Sequence, residues 1–336
     1  MKTLQNSLFF LAVIATACGG NVIQPPVVNQ HAAQPVATDD ALQYQMAEIA
    51  REAGGRVGVA AMVLETGENL RLNANERFPM QSVVKLPIAM AVFKQIDEGK
   101  LTLDQNISVT KEDFVTSAQR SPIRDGNPKG AEIPVSELIR FAVSESDGTA
   151  SDVLMRVAGG ASAIQGYLDD LGIVEIEIKR SHKEFGKDWE MQYDNWASPE
   201  GSAALLDVLQ NGEEMSVEHR ELLLKFMSVT LTGPNRLKGL LPPGTPVAHK
   251  TGTGGTRNGI TSATNDIGII TLPNGSHIAI AVFVADSPAN QKTRESVIAK
   301  IAQVIFEKWS QPRLPSKTRG ESVGNHIDFN LRHTLY

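Results

Sequence analysis

The stretch from Ile260 to Ala285 reads ITSATNDIGIITLPNGSHIAIAVFVA. Two runs rich in β-branched residues, 260–271 and 277–285, flank a tight turn centred on Asn274-Gly275. That pattern predicts a long antiparallel hairpin. Another strand is expected just upstream, at 246–251. Strands also occur near the other end of the chain, where RVGVAAMVLETGENLRLN (56–73) reads as strand, Thr-Gly turn, strand. Between these ends the pattern is mostly helical, with segments at 82–99, 134–144, 149–158, 161–171, 198–210 and 217–230. A helix precedes the first strands, with Leu42, Met46, Ile49 and Ala50 at helical spacing between an Asp start and a Gly stop. A long helix at 289–309 follows the last strand. Helix, strands, helices, strands, helix is not the alternation that builds a parallel sheet. It predicts an α+β fold: an antiparallel sheet assembled from both chain ends and flanked by helices, with a central all-α subdomain.

Composition narrows the function. The 336 residues are 41% hydrophobic and 21% charged, as in ordinary globular proteins. The net charge is −6 and no run of five Lys or Arg occurs, so no nucleic-acid partner is expected. The seven His show no metal-ligand spacing, and neither metal nor cofactor is expected. No internal repeat occurs, and a monomer is expected. Cys18 is the only cysteine, which rules out an internal disulfide. It ends MKTLQNSLFFLAVIATAC, a basic start, an apolar run of about ten residues and small residues, the plan of an export signal over 1–17. Ala15-Thr16-Ala17 suits ordinary signal cleavage, whereas ATAC before Gly19 resembles a bacterial lipobox that would lipidate Cys18. Either way the mature protein is expected to be exported and periplasmic, with membrane attachment through Cys18 in the second case. Residues 18–40 read as a Pro- and Gln-rich tether, 41–310 as the catalytic domain, and 311–336 as a disordered tail.

Three short motifs carry chemistry. Ser82-x-x-Lys85 opens an apolar helical segment, and residues three apart share a helix face, so the lysine stands beside the hydroxyl. A serine hydroxyl needs a base to become a nucleophile, and a buried lysine with a lowered pKa can serve. Pro87 is tolerated only near a helix start, which puts that start at or just before Ser82. Ser146-Asp147-Gly148 precedes another helix, and Lys250-Thr251-Gly252 ends a strand. Taken singly, these are a polar helix start, an N-cap cluster and a strand end. Together and in this order they match the signature of penicillin-recognising serine enzymes.

The chain resembles a class A serine β-lactamase of the PER-like and VEB-like branch. The resemblance rests on FPMQSVVKLPIAMAV, SESDGTASDVLMRVAGG, MQYDNWASPEG, TGPNRLKGLLPPGTPVAHKTGTGG and TSATNDIGIITLPNG, and runs from about Ala41 to Ser310. It implies a β-lactamase/transpeptidase-like fold and a small-molecule β-lactam substrate. By the same resemblance Ser82 is the acyl-ester nucleophile and Lys85 its base. Ser146 hands a proton to the leaving nitrogen, and Lys250 and Thr251 hold the substrate carboxylate. Gly252 belongs to the same motif, and the backbone N–H groups of Ser82 and Thr253 form the oxyanion hole.

Two departures stand out. Gly148 occupies a position where the family usually has Asn, which removes a side-chain contact to substrate. In the loop KRSHKEFGKDWEMQYDNW (179–196), counting back from Pro199 places His182 where the family carries the Glu that activates the deacylating water. Gly186 falls where a water-holding Asn or His is usual, and Arg180 and Asn195 fall where residues often brace the loop. Three readings stay open: His182 is the base, with an ordinary imidazole pKa near 6.5; Glu184 replaces the Glu by a two-residue shift, with Asp188 four residues on; or neither does, and turnover is slow. The competing functions are a D,D-peptidase or penicillin-binding protein, and a lipoprotein that sequesters β-lactams.

Overall fold

The computed structural model describes residues 39–311. The export signal, Cys18, nearly all of the tether and the tail beyond Gln311 lie outside the described residues. Asp39 and Asp40, expected as the end of the tether, are the first residues of a helix, Asp39–Arg51.

Strand His277–Ser287 shows why the C-terminal hairpin dominates the fold. Ile278, Ile280, Val282 and Val284 face one way, and Ala279, Ala281, Phe283 and Ala285 the other. Both sets are buried, so the strand is apolar on both sides and must lie inside a sheet covered on two faces. It pairs antiparallel with Ile260–Thr271 on one side and Arg56–Val63 on the other, with Val282 opposite both Asp266 and Val59. Asn69–Leu72 extends the sheet past Arg56–Val63, and Val247–Thr253 extends it past Ile260–Thr271. The N-terminal helix and the final helix Gln291–Ser310 cover one face. The hairpin turn is wider than two residues, because Thr271 and His277 are the last pair. Gly275 takes the left-handed conformation at φ +87°, and Asn274 Oδ1 accepts Ser276 N–H at 3.0 Å.

The other face carries the helical region. Helix Lys85–Asp97 runs through its middle, with Lys85 to Phe93 buried without a break. A helix apolar all round belongs inside a core. It is surrounded by Val135–Ser144, Gly148–Val157, Ala161–Asp170 and Val217–Ser228. Short pairings that the sequence pattern did not reveal complete the fold. Asn106–Val109 pairs with Ala131–Pro134, and Trp196–Ala197 pairs with both Phe78–Pro79 and Ile176–Glu177. Elements of two to four residues carry too few positions to show a period.

Gly58 marks a close approach between the sheet and the segment leading to Ser82. A Cβ there would come within 2.4 Å of Phe78 and 2.7 Å of Pro199. Phe78 is fixed by Phe283, whose ring centroid is 5.6 Å away. Gly58→Ala is therefore expected to destabilise the protein by about 1–3 kcal/mol through overpacking. Chemical denaturation checks this, and an unchanged midpoint would contradict it.

Candidate active site

Ser82 stands on a 3-10 turn, Gln81–Val84, that runs directly into helix Lys85–Asp97. Residues three apart eclipse one another in such a turn. Lys85 Nζ accordingly reaches Ser82 Oγ at 2.7 Å. Pro87 falls in the first helical turn, where a missing N–H costs nothing. Lys85 Nζ also donates to Ser146 O at 2.8 Å and Ser146 Oγ at 3.3 Å. From the sheet side, Lys250 Nζ donates to Ser146 Oγ at 3.0 Å and Thr251 O at 3.1 Å. The Ser146 hydroxyl accepts from both lysines and keeps its own O–H to donate.

Both lysines are buried, and these partners are hydroxyl and carbonyl oxygens rather than carboxylates. Burial drives the Lys85 amine down to about 7; Asp147 and Asp152 oppose this and Arg120 adds to it. Burial and the neighbouring Lys85 hold Lys250 well below the usual lysine range.

Two non-glycine residues in the left-handed region lie next to or within this cluster, Gln81 at φ +50° and Ser146 at φ +58°. Such conformations cost about 1–3 kcal/mol each and persist where surroundings enforce them. Gln81 Nε2 donates to Gln192 Oε1 at 2.8 Å, and Ser262 Oγ donates to the same oxygen at 2.6 Å. After Ser146, the buried Asp147 caps helix Gly148–Val157 by accepting Ala150 N–H at 2.8 Å. It also accepts Ile123 N–H at 2.7 Å and Ser121 O–H at 3.0 Å. The N-cap explanation of the Ser-Asp-Gly cluster and the chemical one therefore describe adjacent residues.

A cleft of about 640 Å³ opens over the cluster, bordered by Ser82, Lys85, Ser146, His182, Thr251 and Thr253. Gly148 borders it too, but Gly252 lies behind: a Cβ there would come within 2.5 Å of Met80 O. Glycine at 252 lets the strand press against the turn that carries Ser82. Arg236, which the sequence reading did not name, holds the end of that strand. It donates to Thr253 Oγ1 at 2.7 Å, Gly252 O at 3.0 Å and Asn265 O at 2.9 Å. Thr251 Oγ1 lies 2.6 Å from Thr232 Oγ1.

The opposite wall is not the polar loop expected for 182–190. His182–Phe185 forms a short helix, and the His182 side chain is buried. Ser181 and Glu184 cap it reciprocally: Ser181 Oγ accepts Glu184 N–H at 3.3 Å, and Glu184 Oε2 accepts Ser181 N–H at 2.8 Å. The Ser-x-x-Glu spacing is the sequence signal for that cap. Glu184 is spent on the cap and does not border the cleft, whereas His182 and Asp188 do. The expected imidazole pKa near 6.5 is corrected: burial first, then Lys85 and Lys250, lower His182 to about 4 against the pull of Asp152. Asn195 braces the loop by accepting Lys179 N–H at 2.8 Å and Arg180 N–H at 2.9 Å, and Arg180 Nε donates to Asp194 at 2.9 Å.

Gly148 and Gly186 share a consequence. A Cβ at Gly148 would lie 3.2 Å from the Val115 methyls, and one at Gly186 would lie 3.0 Å from Gln119. The missing side chains let segment 115–120 close in on the cleft, where Arg120 O accepts Gly148 N–H at 2.9 Å and Gln119 donates to His182 O. Among the described residues no group of His, Cys, Asp and Glu is placed to hold a metal ion.

Comparison with known proteins agrees with this geometry. The β-lactamase enzyme family matches residues 41–309. The chain is 40% identical to β-lactamase VEB-1 of Pseudomonas aeruginosa over 272 residues, covering 80% of this chain and 91% of that one. It is 40% identical to the extended-spectrum β-lactamase PER-1 of the same organism over 266 residues, covering 79% and 86%. A crystal structure of a β-lactamase from Chitinophaga pinensis superposes with a TM-score of 0.77 at 44% identity, covering 79% of this chain and 98% of that one.

Gln192 links the loop to both Gln81 and the sheet. Gln192→Ala leaves buried donors unpaired, at about 1–3 kcal/mol. Amide hydrogen exchange over 179–196 is expected to speed up at least tenfold, with the sheet amides unchanged. Unchanged exchange in the loop would show that Gln192 does not hold it.

Proposed function

We infer that this chain, which belongs to the β-lactamase enzyme family and within it to the PER/VEB-like class A enzymes, hydrolyses β-lactams through an ester on Ser82 that His182 helps to cleave. One observation carries the first half: two buried lysines, neither ion-paired to a carboxylate among the described residues, converge on the Ser146 hydroxyl, and one of them also holds Ser82. Burial disfavours the charged form of each lysine, and an anionic substrate beside Lys250 supplies a counter-ion that favours it. The β-lactam carboxylate meets Lys250 and Thr251 while its carbonyl carbon faces Ser82.

The neutral Lys85 amine takes the Ser82 proton as Oγ adds to the lactam carbonyl. Backbone N–H groups of Ser82 and Thr253 receive the oxyanion, at about 3–4 kcal/mol for a well-placed donor. The C–N bond breaks, and the nitrogen takes its proton from Ser146 Oγ, which Lys85 replenishes. Water then attacks the ester. His182 accepts a water proton, the tetrahedral intermediate collapses, and Ser82 leaves with a proton returned to it. His182 fits this role by bordering the cleft beside Lys85, while Glu184 is held in its cap. The reading extends to location: export, with lipidation of Cys18, which fatty-acid labelling tests.

A general base works only when unprotonated. Acylation is expected to rise as pH climbs through about 7, where Lys85 loses its proton. Deacylation is expected to hold through neutral pH and fail only as pH falls through about 4, where His182 gains one. Rapid-quench kinetics across pH separates the two limbs, and a deacylation limb near 6.5 would contradict the burial argument.

Intact-protein mass spectrometry with a cephalosporin tests the residues. Ser82→Ala should form no adduct. His182→Ala should hold a stable adduct, with deacylation slowed about a hundredfold or more. Glu184→Ala should turn over near the native rate. A stalled Glu184→Ala beside a normal His182→Ala would reverse the assignment.

A further inference from the structure

Asp152 lies one helical turn beyond Gly148, and its side chain is only 10% exposed. Oδ1 accepts the His182 backbone N–H at 2.7 Å and Oδ2 accepts that of Lys183 at 2.8 Å. The two bonds fix the carboxylate against the start of the 182–185 segment. They also bring Oδ1 to 3.4 Å from His182 Nδ1. The ring is held on other sides by Phe185, 5.1 Å between centroids, and by Gln119 donating to His182 O. Among the described residues neither ring nitrogen has a hydrogen-bond partner, although both are buried.

We propose that Asp152 is a positioning residue for His182, holding the imidazole as the tautomer protonated on Nδ1 and leaving the Nε2 lone pair to take a proton from the deacylating water. An Nδ1 lone pair facing a carboxylate oxygen would be repelled, whereas an Nδ1–H is attracted. The tautomer of an imidazole is set by the partner of its other nitrogen. At 3.4 Å the pair is longer than a good hydrogen bond, and such contacts often tighten only once substrate is in place. Three charged groups act on the ring. Lys85 and Lys250 favour its neutral form, and Asp152 alone favours the imidazolium that forms as water is deprotonated. Asp152 thus supplies orientation and a negative charge beside the ring that stabilises the product of proton transfer. An orienting carboxylate of this kind sets both tautomer and charge in other hydrolases.

The inference rests on His182 being the deacylation base, and the test keeps the two apart. In native enzyme labelled with 15N-histidine, the His182 signal, identified by its loss in His182→Ala, should show the proton on Nδ1. Asp152→Asn should deacylate roughly a hundredfold more slowly or worse. It should still form the Ser82 adduct within a few-fold of the native rate, and its acid limb should move to lower pH. A role confined to bracing the loop would lower the melting temperature yet leave the tautomer and the acid limb in place, which would overturn the proposal. So would a native His182 protonated on Nε2, a result that needs no variant to fold. Failure of the base assignment itself reads out separately, as normal turnover by His182→Ala.

Discussion

Lys85 Nζ lies 2.7 Å from Ser82 Oγ and 2.8 Å from Ser146 O, in a position where burial lowers its pKa to about 7. An ammonium in such a place costs several kcal/mol unless its donors are met. They are met by two residues about sixty positions apart, one on the turn that opens the central helix and one at the junction between helices Val135–Ser144 and Gly148–Val157. Lys250, from the C-terminal sheet, reaches the same Ser146 hydroxyl. The sheet and the helical region therefore share one polar knot, and separating them would strand two lysines. The strained backbones of Gln81 and Ser146 are tolerable because this knot and the Gln192 contacts hold them.

The charge of that knot decides what the facing loop can do. A carboxylate beside two lysines would stay ionised and strongly paired. An imidazole there is pushed the other way: burial first, and then Lys85 and Lys250, lower His182 to about 4. In the proposed role of base, a group so far below neutral pH is always available but has less driving force than one tuned near the working pH. The Asp152 carboxylate is the local opposing charge. On the roles proposed above, the acylating and releasing halves of the site differ in kind: the first uses a lysine poised near neutrality, the second a histidine held neutral chiefly by burial and further by the same lysines.

Much of this was legible in the chain. The Asn-Gly turn between two β-branched runs announced the hairpin, and the order of strands and helices announced a sheet built from both ends. Ser82, Lys85, Ser146 and Lys250 were legible because each sits at a local spacing or an element boundary. The tertiary partners were not. Asp152 meets His182 across 30 residues, and Gln192 meets Gln81 across 111, with no local periodicity linking either pair. Burial of His182 was hidden as well, since a stretch with five charges in nine residues reads as solvated loop. Its Ser-x-x-Glu cap was in the sequence and would have placed Glu184 at the start of the short helix. The short strands around Phe78 and Trp196 show no pattern because two residues cannot.

The most direct test is a pre-steady-state experiment on the native protein with excess substrate at neutral pH, following a chromogenic cephalosporin by stopped flow and the Ser82 adduct by mass. The expected result is an adduct that forms and then decays as product continues to appear over many turnovers. A single stoichiometric burst with an adduct that persists would contradict the account, because it would leave His182 without a part in release.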